Sequence, residues 1–280
     1  MLKLSGFADE ISPDLDQQIA VCRQCDITKI ELRGVFGKNV LDFTADDRKK
    51  VRDGLRAAGM GVATIGSPIG KVPITDPWEK HFERFKIAVE AAEYFGASMI
   101  RVFSYYPPGG AGKGDVLPHR DEVIRRMKAK VDYIEGRPII LVHENERHIY
   151  GEKGRECVDL MMSVNSPQFR SAFDFANFVQ VGENPLDAWP GLKPFSTHIH
   201  IKDATRSDGK VVPAGQGDGQ LEPILADAYK GGYRGYLSLE PHLAAHGQFS
   251  GFSGPELFIT AVDALKALCK KIGIPLASFG

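Results

Sequence analysis

The sequence lacks any apolar run long enough to cross a membrane. A transmembrane helix needs roughly 18 or more consecutive apolar residues, and no segment of the 280-residue chain approaches that length. The first eight residues run directly into Asp9 and Glu10. They lack the basic start and the apolar stretch that are typical of a secretory signal peptide. These absences predict a cytoplasmic protein that has no membrane partner.

An excess of charge is also missing, and cysteine is scarce. The chain has 35 Lys and Arg residues against 36 Asp and Glu residues, for a formal net charge of −1. Nucleic-acid-binding proteins usually show a basic excess or a basic stripe, so this balance argues against a nucleic-acid partner. The four cysteines are Cys22, Cys25, Cys157 and Cys269. The first two form one CxxC inside a helical pattern, which favours a structural role over metal or redox chemistry.

The chain does contain a regular alternation of short apolar runs and longer amphipathic stretches. The short runs have the length and composition of β-strands, and the stretches between them begin and end with helix-capping residues. The predicted strands are residues 2–7, 29–33, 61–65, 98–103, 138–143, 169–173, 196–201 and 235–239. The predicted helices are residues 12–26, 44–59, 76–96, 118–135, 154–164, 185–189, 221–230 and 255–271.

This alternation predicts parallel strands joined by crossover helices. Eight units of about 35 residues each match the spacing of a (β/α)8 barrel. An open doubly wound sheet would need a Gly-rich turn after its first strand, and residues 7–12 contain no glycine. No linker or low-complexity stretch divides the chain. We therefore predict an α/β fold, a single (β/α)8 TIM barrel over residues 1–280.

Ligand-type residues follow the last four predicted strands. These residues are Glu144, Asp174, His200 and Glu240. Catalytic residues of such barrels collect at the C-terminal ends of the strands, where neighbouring strands lie roughly 5 Å apart. Three carboxylates that meet in a partly dry pocket repel one another, and a divalent cation removes that repulsion. Oxygen ligands with one imidazole suit Mn²⁺, Mg²⁺ or Co²⁺, and also admit Zn²⁺.

Other polar residues fall at or near strand ends. Glu31 and Arg101 lie at the ends of the second and fourth strands, where they could bind substrate or form ion pairs. His198 precedes His200 by two residues and faces the same side of its strand. It could be a second metal ligand, but a position behind the ligands or in the packed core is favoured, because it lies one layer deeper. Residues 107–115 form a Gly-rich loop that would act as a lid or remain a surface loop.

The motifs resemble those of the xylose isomerase-like TIM barrel superfamily, in the branch of sugar isomerases, epimerases and inosose dehydratases. The matching segments are residues 143–145 (His-Glu-Asn), 174–177 (Asp-Phe-Ala-Asn), 200–203 (His-Ile-Lys-Asp), 215–217 (Gly-Gln-Gly) and 232–236, which lead to Glu240. The resemblance implies that Glu144, Asp174, His200 and Glu240 bind one divalent metal ion, with Mn²⁺ as the first choice. It also implies that Glu144 and Glu240 serve as acid and base.

The resemblance extends in part to substrate contacts. Ketose 3-epimerases of this branch have an Arg six residues after the metal His, and Arg206 stands at that offset. They also have a His three residues after the Asp ligand, where this chain has Asn177. Where they carry a substrate-binding Glu, this chain has Tyr150. The predicted substrate-binding residues are therefore Arg206, Asn177, His198, Glu31 and Arg101.

A metal that chelates a ketone oxygen and a neighbouring hydroxyl acidifies the adjacent carbon, because it stabilises the enediolate. The family resemblance thus predicts a metal-dependent isomerase or epimerase that acts on a small carbohydrate and forms a homo-oligomer, either a dimer or a tetramer. An inosose-type dehydratase and a non-catalytic metal- and sugar-binding protein are the alternatives. An apurinic endonuclease fits poorly, because Ser67 and Arg101 stand where further metal-binding histidines would be needed.

Overall fold

Eight parallel strands form the centre of the protein in the computed structural model, which describes residues 1–244 and 251–278. The strands are β1 (Lys3–Gly6), β2 (Lys29–Leu32), β3 (Gly61–Ile65), β4 (Met99–Val102), β5 (Ile140–Glu144), β6 (Phe169–Asp174), β7 (Ser196–Ile201) and β8 (Tyr236–Leu239). Each strand from β2 to β7 pairs with the next along the chain, and β8 pairs with β1. A bridge between Phe7 and Glu31 joins the ends of β1 and β2. The predicted TIM barrel is confirmed.

Helices connect the strands. They are α1 (Leu15–Gln24), α2 (Ala45–Ala57), α3 (Trp78–Phe95), α4 (Arg120–Tyr133), α5 (Gly154–Val164), α6 (Phe175–Gln180), α7 (Pro185–Leu192), α8 (Leu221–Lys230) and α9 (Pro255–Lys271). Thr44 and Asp47 form a reciprocal capping box at the start of α2, as their spacing indicates. The six-residue α6 was not predicted. Within the described part of the chain, no helix combines the length and apolar character of a membrane span.

Two small antiparallel hairpins follow the C-terminal ends of strands. Residues Gly34–Val35 pair with Lys38–Asn39 after β2, and Asp203–Ala204 pair with Val211–Val212 after β7. The first hairpin turns through Phe36 and Gly37, whose φ angles are 59° and 70°. Left-handed backbone at both central residues matches the twist of the flanking strands. Both hairpins therefore lie at the end of the barrel where a TIM-barrel site is expected.

The apolar core lies between the strands and the helices, whereas the barrel interior is partly polar. Phe85 of α3, Met127 of α4 and Leu265 of α9 are completely buried in this core, and each such side chain contributes about 1.5–3 kcal/mol to stability. Inside the barrel, Glu31 and Ser238 are also completely buried. Buried polar groups require partners, so this interior is arranged around specific contacts.

The CxxC cysteines belong to the core. Cys22 and Cys25 are buried free thiols in α1 and at its C-terminal cap. Burial raises the pKa of both thiols, that of Cys25 to about 11. The reactive thiolate form is therefore disfavoured, which supports the structural interpretation of this motif.

Candidate functional site

The C-terminal ends of β5 to β8 bring four ligand-type side chains together. Glu144 ends β5, Asp174 ends β6, His200 is the penultimate residue of β7, and Glu240 directly follows β8. One ligand atom from each residue lies within 4.8 Å of the other three. All four residues, here named the ligand cluster, are buried. The geometry thus assembles the four side chains that the sequence predicted as metal ligands.

Local hydrogen bonds position Asp174 in the ligand cluster. Its Oδ1 accepts a hydrogen bond of 2.8 Å from the backbone N–H of Asn177 and so caps α6. The Asn145 side chain pairs with the Asp174 backbone through two hydrogen bonds of 2.9 Å. Asp174 Oδ2 is left facing the cluster, where it has an ion-pair contact with Lys202 but no hydrogen bond among the described residues. The cap therefore orients one carboxylate oxygen for a ligand.

Three permanent cations lie against the ligand cluster. Lys202 Nζ is 3.0 Å from Asp174 Oδ2 and 3.2 Å from Glu240 Oε2. Arg101 Nη1 is 2.9 Å from Glu144 Oε2 and 3.4 Å from Glu240 Oε1. Arg33 Nη1 is 3.1 Å from Glu240 Oε1. Each carboxylate of the ligand cluster therefore contacts at least one of these cations, and Glu240 contacts all three.

Burial and these cations shift the carboxyl groups in different directions. Burial raises the pKa of Asp174 to about 6, although Lys202 acts in the opposite sense. Burial also acts to raise the pKa of Glu144, but His200 and Arg101 bring it down to about 2. Lys202 and His242 hold the pKa of Glu240 well below its usual range in spite of burial. Glu144 and Glu240 are thus held ionised, whereas Asp174 is the carboxyl group that takes up a proton most easily.

The donor set fits a divalent cation. Asp174 Oδ2 and both ring nitrogens of His200 are buried atoms without hydrogen bonds among the described residues, and Asp174 Oδ2 and His200 Nδ1 face the other members of the cluster. Three carboxylates and one imidazole are a donor set that Mn²⁺, Mg²⁺ or Co²⁺ accepts. A dication would also remove the repulsion that accompanies the raised pKa of Asp174.

A cavity of about 420 Å³ adjoins the ligand cluster through Glu240. Its described lining residues are Asp9, Arg33, Gly34, Asn39, Gly66, Pro68, Lys71, Arg101, Glu146, Arg147, Asn177, Gln180, Lys202, Val211, Glu240 and His242. Among these described residues, Pro68 and Val211 are the apolar ones apart from the glycines. At one wall, Lys71 Nζ lies 2.7 Å from Glu146 Oε2 and links the loops after β3 and β5. This lining suits a small molecule that is rich in hydroxyl groups.

The predicted substrate-binding residues lie in three different places. Arg101 and Asn177 line the cavity, and Asn177 Nδ2 also donates to Glu144 Oε1 at 3.1 Å. Glu31 and His198 lie beneath the ligand cluster, where both are fully buried. Arg206 is exposed and does not line the cavity, and its backbone N–H donates to Asp218. The structure therefore does not bring Arg206 or the buried pair to the cavity wall.

Sequence reasoning missed Lys202, although a signal for it was present. Side chains two residues apart on a strand face the same side, so Lys202 follows His200 towards the barrel centre. The rim residues Lys71, Glu146 and Arg147 were missed because they lie in loops, which carry no periodic pattern. Residues 107–115 do not line the cavity, and their role as a lid stays a prediction.

The Gly-rich turn after β7 is held by a carboxylate from the chain itself. The side chain of Asp203 accepts hydrogen bonds of 2.9 Å from the backbone N–H groups of Gly215, Gly217 and Gly219. A cradle of backbone N–H groups can bind a phosphate, but here these donors are already used. The turn therefore serves to anchor the loop next to the ligand cluster.

Comparisons with known proteins agree with this architecture. The sequence profile of the xylose isomerase-like TIM barrel family matches residues 19–268. A 3-dehydroshikimate dehydratase from Bacillus anthracis is 20% identical over 180 residues, which span 64% of this chain and only 62% of that protein. A D-tagatose 3-epimerase-like protein is 15% identical, with a TM-score of 0.75 over 97% of this chain and 98% of that chain.

A further solved structure, described as a xylose isomerase-like TIM barrel protein from Mycobacterium smegmatis in complex with magnesium, is 16% identical. Its TM-score is 0.70, and the match covers 97% of both chains. At these identities the structural matches support the fold, whereas the family profile covers most of the sequence. The chain therefore belongs to the xylose isomerase-like TIM barrel family.

Proposed function

We propose that this protein is a divalent-metal-dependent enzyme that epimerises or isomerises a small sugar or a related polyol ketone. The observation that carries the proposal is the ligand cluster next to a polar cavity of about 420 Å³, which Glu240 of the cluster lines. The similarity to a D-tagatose 3-epimerase-like protein supports a sugar as the substrate class. The similarity to a structure that contains magnesium supports a divalent ion, and we propose Mn²⁺ first.

The four residues of the ligand cluster would hold the ion. When bound, the ion supplies a Lewis acid that makes the carbon next to a ketone more acidic. The surrounding protein contributes fixed positive charge at the same place. Arg101 and Lys202 line the cavity as buried cations, and preorganised charge in a site that excludes water stabilises an oxyanion strongly. These two side chains would therefore stabilise the enediolate of the substrate.

Glu144 and Glu240 would act as base and acid on the two faces of the substrate carbon. They come from β5 and β8, at the two ends of the row of ligand-bearing strands, and Arg101 Nη1 lies between them at 2.9 and 3.4 Å. One glutamate would enter the cycle as the carboxylate, remove the proton and end as the carboxylic acid; the other would enter as the carboxylic acid, donate its own proton to the opposite face and end as the carboxylate. Protonation of the same carbon gives epimerisation, and protonation of the neighbouring carbon gives isomerisation.

Solvent deuterium exchange tests this assignment. Wild-type protein with Mn²⁺ should incorporate deuterium next to the carbonyl of at least one member of a panel of ketoses and inososes. Glu144→Gln and Glu240→Gln should each lower the exchange rate by about 10²–10⁴-fold, the usual contribution of a general acid or base. Metal content is measured in the same samples, so that loss of metal and loss of the base are separated.

Glu146→Gln is the matched control, because Glu146 lines the same cavity but lies outside the ligand cluster. It should exchange within about tenfold of wild type, well under the effect of a lost base. Unchanged exchange in a metal-loaded Glu144→Gln or Glu240→Gln protein removes that residue from the mechanism. Absence of exchange across the whole panel with wild-type protein would instead support a non-catalytic metal- and sugar-binding protein.

Dehydration is the second candidate reaction, and the similarity to a 3-dehydroshikimate dehydratase favours it. The first step is the same proton removal, after which a β-hydroxyl leaves as water. A conjugated enone product absorbs in the ultraviolet, whereas an epimer or isomer does not. Product absorbance in the same panel therefore distinguishes the two reactions.

A further inference from the structure

Glu31 is the penultimate residue of β2 and lies behind His200 of the ligand cluster. Its side chain is completely buried and does not line the cavity. Its Oε2 accepts hydrogen bonds from His198 Nε2 at 2.7 Å and from Ser238 Oγ at 2.8 Å. The same oxygen lies 3.2 Å from His200 Nε2. One carboxylate oxygen is therefore in polar contact with three side chains, and one of these is the imidazole of His200 in the ligand cluster.

The two nitrogen atoms of His200 face different surroundings. Nδ1 lies 3.3 Å from Glu144 Oε1 and 3.9 Å from Glu240 Oε2, so it faces the other ligands. Nε2 faces Glu31 on the opposite side. The rings of Phe7 and His198 pack edge-on against the imidazole, with centroid distances of 5.3 and 5.0 Å. This packing leaves a buried ring little room to exchange its two nitrogens.

A neutral imidazole carries its single proton on one nitrogen or the other. A metal ligand must present a lone pair, and the second nitrogen of such a histidine usually donates its N–H to a carboxylate or a carbonyl. In His200 only Nδ1 faces the other ligands, so the proton must reside on Nε2. The carboxylate oxygen Oε2 of Glu31 lies 3.2 Å from that nitrogen, close enough to accept its hydrogen bond once the ring adjusts to a bound metal.

We propose that Glu31 is a positioning residue that holds His200 in the tautomer with the proton on Nε2, and thereby presents Nδ1 to a divalent metal. This inference rests on the metal site of the proposed function. It replaces substrate contact as the role of Glu31, because the side chain is completely buried and its Oε2 already accepts hydrogen bonds from His198 and Ser238. Glu31 acts on the reaction only through His200.

Metal affinity tests the proposal without any need for turnover. Glu31→Gln removes the charged acceptor and keeps the size of the side chain, so titration calorimetry with Mn²⁺ should show about 10–100-fold weaker binding. Ser238→Ala is the matched control, because it removes another donor to the same oxygen and leaves the contact with His200. It should bind Mn²⁺ with an affinity close to that of wild type. Equal metal affinity in Glu31→Gln and wild type overturns the proposal.

The tautomer of His200 in the unaltered protein gives a second readout that does not depend on how Glu31→Gln folds. In ¹⁵N-histidine-labelled protein with Zn²⁺ as a diamagnetic probe, long-range nitrogen–proton spectra should show His200 protonated at Nε2 and metal-bound at Nδ1. Comparison with His198→Gln assigns the signals of the neighbouring ring. A metal bond at Nε2, or a proton on Nδ1, overturns the proposal.

The two proposals fail in different ways. A protein that binds Mn²⁺ through His200 Nδ1, but never exchanges substrate deuterium, contradicts the proposed function and leaves the role of Glu31 intact. A protein that exchanges deuterium, while Glu31→Gln binds Mn²⁺ as tightly as wild type, contradicts only the role of Glu31.

Discussion

Replacement of Lys202 by methionine should destabilise the metal-free protein much more than the metal-loaded protein. The lysine ammonium lies 3.0 Å from Asp174 Oδ2 and 3.2 Å from Glu240 Oε2. Glu240 also contacts Arg33 and Arg101, so it keeps cationic partners in the variant. Asp174 loses the one cationic side chain that the described structure places against its carboxylate, apart from a metal. The variant therefore loses electrostatic stabilisation mainly at the Asp174 carboxylate.

The expected magnitude follows from the burial of this pair. Removal of one partner from a buried ion pair destabilises a protein by about 3–5 kcal/mol. Because burial already raises the pKa of Asp174 to about 6, the variant can relieve the unpaired charge by taking up a proton near neutral pH. This places the expected loss near the lower end, at about 3 kcal/mol. With an unfolding entropy of about 2.1 cal/mol/K per residue, 3 kcal/mol corresponds to a decrease in Tm of about 5 °C for 280 residues.

Thermal unfolding in EDTA and in saturating Mn²⁺ measures the effect. In EDTA, Lys202→Met should melt about 5 °C below wild type, and Mn²⁺ should remove most of that difference because the dication replaces the lost positive charge. Lys71→Met is the control, since Lys71 forms a rim ion pair with Glu146 and is partly exposed. It should lose no more than about 1 kcal/mol, with or without metal. An equal decrease for Lys202→Met in both conditions would refute the reasoning.

Three further predictions concern stability. Burial lowers the pKa of His81 to about 3, so the unfolded chain takes up a proton below pH 6.5 that the folded chain does not, and stability falls as the pH falls. In His81→Gln, the free energy of unfolding measured with urea should change less with pH between pH 4 and 7, by up to about 1.4 kcal/mol per pH unit. The same pH dependence in the variant and in wild type would contradict this. Asp203→Asn should speed amide exchange across residues 213–220, because three glycine N–H groups lose a charged acceptor; hydrogen exchange by mass spectrometry checks this, and unaltered protection argues against the anchor. Gly70→Ala should lower the free energy of unfolding by more than about 3 kcal/mol, since the added Cβ would lie 1.8 Å from Phe103 O. Gly96→Ala has open space around its Cβ and should lower it by about 1 kcal/mol. Similar Tm values for the two variants would refute the steric reasoning.

The positions of the ligand cluster could be predicted because they follow from local pattern. Apolar runs mark strands, and the residue that ends each run must lie at the C-terminal end of the barrel. The fold was predictable for the same reason, since eight alternating units leave few alternatives. The helix α6 escaped this reasoning. It begins directly at Asp174, whose side chain serves both as its cap and as a member of the ligand cluster, so no loop separates strand from helix.

Contacts across the barrel could not be predicted in the same way. Glu31 and His200 come from β2 and β7, which are not neighbours in the sheet. Their contact depends on the depth of each side chain in the barrel, and this depth follows from how the strands are staggered. Sequence alone placed Glu31 at a strand end and predicted contact with substrate. The structure places it below His200 instead.

The sequence by itself determined which strands end in metal-ligand types, because strand length and side-chain alternation are local properties of the chain. It did not determine the partners of those ligands. Lys202, Arg33 and Arg101 reach the ligand cluster from three different strand ends, whereas Arg206 is exposed and does not line the cavity. Only the closed barrel sets these distances, because strand stagger, helix packing and loop anchors such as Asp203 act together on the position of each side chain.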